Sequence, residues 1–323
     1  MRVSTVIHAR LPILRPFRTA AGVVTSRDAV FVKVESATDH GWGEAVSWPG
    51  DLDESPEDIW ESIVAGSPGI AGRAAIDEAR ADLAARLAGV SLASHIGGRE
   101  GPLANSLAVG LGEDAGVAAA DAAAAGYTTI KLKVEPGNDV ARVRRAIEAA
   151  PGLFVGVDGN GSYAPLDVTA IMAIEAAGAA YVEQPYPRGS HAGHRELGLR
   201  LSVPLILDED VRSVDDARAV IEAGAADVLA VKPGALGIAG ALAVHAMATS
   251  AGLKIKPSGF LESGIGRAHT AAIASLPEVV WADLAPATAY FTIDPVRPVR
   301  GGGIGVDVDD DALVSVMVRR EDL

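Results

Sequence analysis

Five stretches decide the fold: TTIKLKV (128–134), LFVGVD (153–158), AAYVE (179–183), PLILD (204–208) and DVLAVK (227–232). Each is a short, nearly continuous apolar run, and Ala-rich helical stretches lie between them. Apolar runs without alternation suit strands buried on both faces, and strands alternating with helices imply a parallel sheet. Working outward, three more runs keep the same rhythm, ending at Val109, Pro257 and Leu284. Between the runs lie helical patterns such as Ala141–Ala149, Val214–Ala223 and Ile238–Ser250. Eight strand candidates and seven intervening helices predict an α/β fold, a (β/α)8-type barrel over residues 101–289.

The first hundred residues read differently. Val3–Ala9, Ala29–Val34 and Gly43–Val46 look like strands, followed by a helix over Ala74–Ala88 that stops at Gly89. Strands and then a helix predict a smaller α+β domain over 1–100. Residues 290–323, with Gly301, Gly302 and Gly303, fall outside the barrel count and are expected to return to that domain.

Composition narrows the function. The chain has 323 residues, 49% of them hydrophobic, enough to bury a large core. Its 28 Lys+Arg against 42 Asp+Glu give a formal charge of −14, which argues against nucleic acid or an anionic membrane as partner. With no cysteine, disulfides, thiolate metal sites and a cysteine nucleophile are excluded. Arg2, Arg10 and Arg15 interrupt any signal-peptide apolar core. Pro233–Leu253 lacks charge and is nearly long enough to span a bilayer. Its early glycines and alanines, with His245, Thr249 and Ser250, fit a buried helix of a globular fold better. The expectation is a cytoplasmic protein acting on a small-molecule carboxylate; the oligomeric state is not legible.

The ends of the barrel strands carry the chemistry, because sites in such barrels form where strands give way to the following loops. Those positions hold Lys133, Asp158, Glu183, Asp208 and Lys232, spaced 25, 25, 25 and 24 residues apart. Three carboxylates on adjacent strands repel unless neutralised. A hard divalent cation would do this, Mg2+ first, with Mn2+ as the alternative. Lys131 and Lys133 share one face of their strand by the period of two. Two neighbouring ammonium groups are expected to depress each other's pKa, moving one towards use as a general base. Asn160 and Glu209 are placed to support the metal ligands from the side. Taken singly, Lys133 reads as a solvated strand-end lysine, and Asp158 and Asp208 as helix caps or turn formers. In register across five strands, the functional reading outweighs these.

The segments KLK (131–133), VDGN (157–160), VEQP (182–185), LDED (207–210) and VKPG (231–234) resemble the enolase superfamily, in its muconate-lactonising subgroup. LPILRPFRTAAG (11–22) is similar to the mobile loop of that family, GWGEAV (41–46) to a strand of its N-terminal capping domain. SGFLESGIGRAHTAAIASLP (258–277) is similar to the seventh-strand loop of o-succinylbenzoate synthases and N-succinylamino acid racemases.

The resemblance implies that Asp158, Glu183 and Asp208 ligate Mg2+, which binds the substrate carboxylate and stabilises an enediolate. It implies that Lys133 abstracts the α-proton and that Lys131 assists. Lys232 is then the opposing acid/base of a racemase, or holds the intermediate by a cation–π contact in a synthase. Phe17, Arg18 and Thr19 in the lid, with Trp48, are expected near substrate. The backbone around Ser258, Gly259, Ser263 and Gly264 is expected to receive a succinyl carboxylate. As single residues, Phe17 and Trp48 read equally as packing, and Arg18 as a surface ion pair.

Two departures stand out: region 49–72 reads as shortened, and the seventh strand ends KIKPSG. Lys254 and Lys256 read as an exposed or ion-paired couple without a role. None of the seven histidines falls at a barrel strand end. Synthase and racemase need the same five residues, so both stay open, with the synthase leading as a hydro-lyase of menaquinone biosynthesis. Weaker alternatives are a phosphate-binding barrel enzyme and a catalytically silent barrel.

Overall fold

A computed structural model describes residues 2–20, 22–48, 52, 54–103, 105–165 and 167–323. Residue 21 of the expected lid, residues 49–51 and 53 of the region read as shortened, and residue 104, where the barrel rhythm begins, lie outside the described residues.

The chain opens with an antiparallel sheet of β1 (Arg2–Thr19), β2 (Gly22–Glu35) and β3 (His40–Val46). Three helices follow, α1 (Pro56–Val64), α2 (Ile70–Leu87) and α3 (Leu92–His95). Helix α2 lies directly on β3 because the Gly-Trp-Gly pattern leaves no side chain in the way. A Cβ at Gly43 would stand 1.9 Å from the Ala75 carbonyl oxygen, and one at Gly41 2.2 Å from that of Ala79.

Segment 11–19 is not a loop but the continuation of β1, paired with β2 as a hairpin (Phe17 opposite Val24, Arg18 opposite Val23). The register shifts between Pro12 and Phe17. Pro12 and Pro16 bring no N–H to a ladder, so pairing lapses there. This stretch docks elsewhere instead: the Leu14 N–H donates to Tyr290 O at 2.7 Å and the Thr292 N–H to Pro12 O at 3.0 Å.

The second sheet is parallel and curled, ordered β10-β9-β8-β7-β6-β5-β4. Its strands and helices alternate as β4 (Ser106–Val109), α4 (Ala115–Ala124), β5 (Thr129–Lys133), α5 (Val140–Ala149), β6 (Phe154–Asp158) and α6 (Val168–Ala176). They continue as β7 (Tyr181–Glu183), α7 (His191–Gly198), β8 (Leu205–Leu207), α8 (Val214–Ala223), β9 (Val228–Val231), α9 (Pro233–Ser250), β10 (Lys254–Pro257) and α10 (Gly264–Ala274). The fold is the expected α/β barrel type with an N-terminal antiparallel sheet domain.

The eighth run differs from a regular strand. Glu278 (φ 58°) and Trp281 (φ 46°) adopt left-handed backbone, which no ladder tolerates. The segment still bridges the ends of the sheet. Val280 N–H reaches Ile255 O at 3.0 Å, Asp283 N–H reaches Pro257 O at 2.9 Å, and Ser106 N–H reaches Ala282 O at 2.9 Å.

Past the barrel come β11 (Val296–Pro298), β12 (Val306–Val308), α11 (Asp310–Val314) and β13 (Met317–Asp322). Strand β13 runs antiparallel to β1, with Ile7 opposite Arg320. The uncharged stretch 233–253 is helix α9, interrupted at Gly237 (φ 67°). Among the described residues no helix is long and apolar enough to cross a membrane.

Candidate active site

Lys133, Asp158 and Glu183 face one another in register across β5, β6 and β7. Asp208 follows β8 directly and Lys232 follows β9. The barrel interior buries these groups: Asp158 and Glu183 are 0% exposed and Asp208 3%. One carboxylate oxygen from each of the three lies within 4.8 Å of the others.

The lysines answer this concentration of negative charge. Lys133 Nζ lies 2.6 Å from Asp158 Oδ2, and Lys232 Nζ 2.8 Å from Asp208 Oδ1. Lys131 Nζ contacts Glu183 at 2.7 Å, Asp283 at 2.8 Å and Asp158 at 3.3 Å. Burial alone would push Lys131 down, but Asp283, Glu183, Asp158 and Asp208 outweigh it and hold the ammonium well above its ordinary value. In the protein alone, the carboxylates dominate at Lys131. Burial likewise pushes Asp158 up, and Lys133 with Lys131 overcomes it, holding that carboxyl well down. At Glu183 burial prevails and the carboxyl is raised.

The supporting residues fall into place. The Asn160 N–H donates to Asp158 Oδ1 at 2.9 Å, and Asn160 Nδ2 donates to Glu209 Oε1 at 2.9 Å. Burial, then Asp208 and Asp158, push Glu209 up to about 8. Gln184 ties the next strand: its Oε1 accepts the Asp208 N–H at 2.8 Å and its Nε2 donates to Asp210 at 2.7 Å.

Three buried carboxylates converging from adjacent strands form a hard, all-oxygen donor set, which fits a divalent cation. The lysines bound to those oxygens carry the compensating charge in the protein alone. The cluster could therefore hold a metal.

The substrate-facing expectations divide. Phe17, Trp48 and Gly259 line a cavity of about 50 Å³ together with Lys131, Lys133, Asn160, Asp208 and Lys232. Phe17 meets Tyr290 edge-on at 6.1 Å, and Trp48 lies 6.3 Å from Phe260. Thr19 is buried, on the same side of β1 as Phe17. Arg18 points the other way: its side chain is 55% exposed and stands 3.9 Å from Glu135.

The loop after β10 offers less than expected. Ser263 N–H donates to Glu44 at 2.9 Å, and Gly264 N–H to Asp294 at 3.1 Å. Ser258 N–H donates to Val231 O at 3.0 Å. Protein oxygens thus take the amides of Ser258, Ser263 and Gly264, and of the four residues expected to receive a succinyl carboxylate, Gly259 lines the cavity.

Sequence reading missed Asp283, Lys256 and Arg267. Lys254 is exposed, but Lys256 is 0% exposed, with Nζ 2.6 Å from Asp283 and 3.3 Å from Glu183. Burial pushes Asp283 up, and Lys131 and Lys256 overcome it, holding that carboxyl well down. Lys256 and Asp283 each stand one residue before the ends of the last two strand-like runs, Pro257 and Leu284, so the strand-end rule passes them by one position. Arg267 sits on α10, where no strand-end rule applies.

Residues 114–312 match the family described as Enolase C-terminal domain-like. The chain belongs to that family. Over 350 aligned residues it is 27% identical to an o-succinylbenzoate synthase of Bacillus subtilis (strain 168), covering 96% of this chain and 94% of that one. It is 29% identical over 331 residues to an N-succinylamino acid racemase of Amycolatopsis sp, covering 92% and 89%. In structure it resembles the N-succinyl Arg/Lys racemase from Bacillus cereus ATCC 14579, with a TM-score of 0.89, 21% identity and 100% of both chains covered. These relatives are enolase-superfamily enzymes, and the family membership agrees with the barrel fold.

Proposed function

We propose that this enolase-superfamily chain is an o-succinylbenzoate synthase, a Mg2+-dependent hydro-lyase of menaquinone biosynthesis. One observation carries the reading: Lys133 and Lys232, on β5 and after β9, line one cavity and pair with Asp158 and Asp208, two members of the Asp158–Glu183–Asp208 cluster. That arrangement suits removal of a proton next to a carboxylate. Asp158, Glu183 and Asp208 would hold the metal, which when bound supplies positive charge at the substrate carboxylate.

The rest falls to the protein. Lys133, unprotonated, takes the proton from the carbon bearing the carboxylate, and the electron pair moves into that carboxylate as an enediolate. The same lysine, now an ammonium, returns its proton to the neighbouring hydroxyl. The C–O bond breaks, water leaves and the ring becomes aromatic. Proton loss and hydroxyl departure occur on one face, so one base serves both. Lys131 fixes Glu183 and Asp158 and stays charged. Lys232 stands 4.3 Å from the centre of the Phe260 ring, so its ammonium already tolerates an aromatic face.

Racemisation of N-succinylamino acids is the second reading, favoured by the two lysines and by the racemase relative. In that reaction Lys133 and Lys232 would exchange protons with opposite faces of one carbon. The comparison that tests it uses one preparation and two substrates. The synthase reading expects kcat/KM for the hydroxycyclohexadiene precursor to exceed that for N-succinylamino acids by at least tenfold. The reverse order would replace it with the racemase.

A further inference from the structure

We propose that Arg267 is the specificity-determining residue that binds a second carboxylate, distal to the reacting one. The inference rests on the reading of this cavity as an acid-binding active site. Arg267 lines the same cavity as Lys131, Lys133 and Lys232. Those three lysines are each paired with a carboxylate within 3.3 Å. Among the described residues, Arg267 forms no ion pair. Its guanidinium lies 5.1 Å from the Tyr290 ring centre, and Nη1 makes one long contact, 3.4 Å, to the Asp283 carbonyl. Its Nε is buried and donates to nothing. Asp294, an acid close enough to feel it, is engaged by the Gly264 N–H.

A buried guanidinium edge without an acceptor favours an anion that fits its fork. Asp283 and Lys131 separate Arg267 from the carboxylate cluster, so a ligand reaching both needs its two acids several bonds apart. The backbone amides of Ser263 and Gly264 in the loop after β10 do not compete for that second acid, since they are held by Glu44 and Asp294. A zwitterionic dipeptide fits poorly. Its ammonium would meet Arg267, and Asp283, the nearby carboxylate, is already paired with Lys131 and Lys256.

The test is calorimetric binding to Mg2+-loaded protein of two pairs of ligands. The pairs are o-succinylbenzoate with 2-butyrylbenzoate, and N-succinylphenylalanine with N-butyrylphenylalanine. Within each pair only the distal carboxylate changes, to a methyl group. Wild type is expected to prefer the succinyl member of at least one pair. Arg267→Met should weaken that member by on the order of 10- to 100-fold and the butyryl member by less than about twofold. Arg267→Lys, which keeps charge and loses the fork, should fall between, and it carries the test if Arg267→Met does not fold. Equal weakening of both members, or no preference in wild type for either succinyl ligand, overturns the proposal. Failure of the synthase reading is seen separately, as absent turnover of the diene by wild type, and leaves this binding difference readable.

Discussion

Lys133 Nζ lies 2.6 Å from Asp158 Oδ2, inside the barrel and in register on neighbouring strands. The proposed base and a proposed metal ligand thus hold each other in the protein alone. Lys133→Ala should remove at least about 10³-fold from kcat, as expected for loss of a positioned base. Metal affinity should be unchanged or higher, because Asp158 loses a competing cation. Turnover and metal titration of the same variant check both halves; a large loss of metal binding would make Lys133 structural.

Gln184 should matter without touching substrate. Its Oε1 is the acceptor for the Asp208 N–H, and its Nε2 holds Asp210. Gln184→Leu leaves a buried N–H unpaired, at a cost of about 1–3 kcal/mol, and frees Asp208 to shift. Weaker metal affinity is expected, read by calorimetry against Asp208→Asn as the direct ligand variant. Unchanged affinity would remove Gln184 from the positioning of the cluster.

Glu44 ties β3 to α10 across 219 residues, accepting from Ser263 Oγ at 2.6 Å and from Gly266 N–H at 2.9 Å. Burial pushes its carboxyl up to about 7, above the ordinary 4.5. The folded state therefore holds a proton that the unfolded chain has lost between those values. Stability should fall as pH rises from about 4.5 to 7. In Glu44→Gln this part of the slope should flatten by about one proton, measured by urea unfolding at several pH values. A slope identical to wild type would show that Glu44 folds already ionised.

The cavity of about 50 Å³ is far below the roughly 300 Å³ at the small end of ligand pockets. Phe17 and Tyr290 also wall a neighbouring cleft of about 620 Å³. Phe17→Ala should join the two spaces, raise KM for the preferred substrate and relax discrimination among acyl groups. Steady-state kinetics over a series of N-acylamino acids checks this; unchanged KM and selectivity would exclude Phe17 from the pocket wall.

The barrel was legible because its strands are apolar runs without alternation, and the five middle ones carry a charged residue where each ends. Lys133, Asp158, Glu183, Asp208 and Lys232 follow from that register alone. The hairpin over 11–19 was not legible: the resemblance pointed to a mobile loop, whereas pairing with β2 and docking on Tyr290 and Thr292 keep the segment extended. The irregular eighth run was hidden because left-handed backbone at Trp281 has no sequence mark. Arg18 fell outside the cavity because a period of two that turns Phe17 and Thr19 to the buried side must turn Arg18 out. Lys254 and Lys256 read as an exposed or ion-paired couple; Lys254 is exposed and Lys256 is ion-paired, but its partner Asp283 lies 27 residues away and so is hidden in the sequence.

The most direct measurement follows the diene absorbance of the hydroxycyclohexadiene precursor with purified protein and Mg2+, with and without EDTA, for wild type and Lys133→Ala. The account predicts fast turnover by wild type, lost on chelation and lost in the variant. Folded, metal-loaded wild type that leaves the diene unchanged would contradict the synthase.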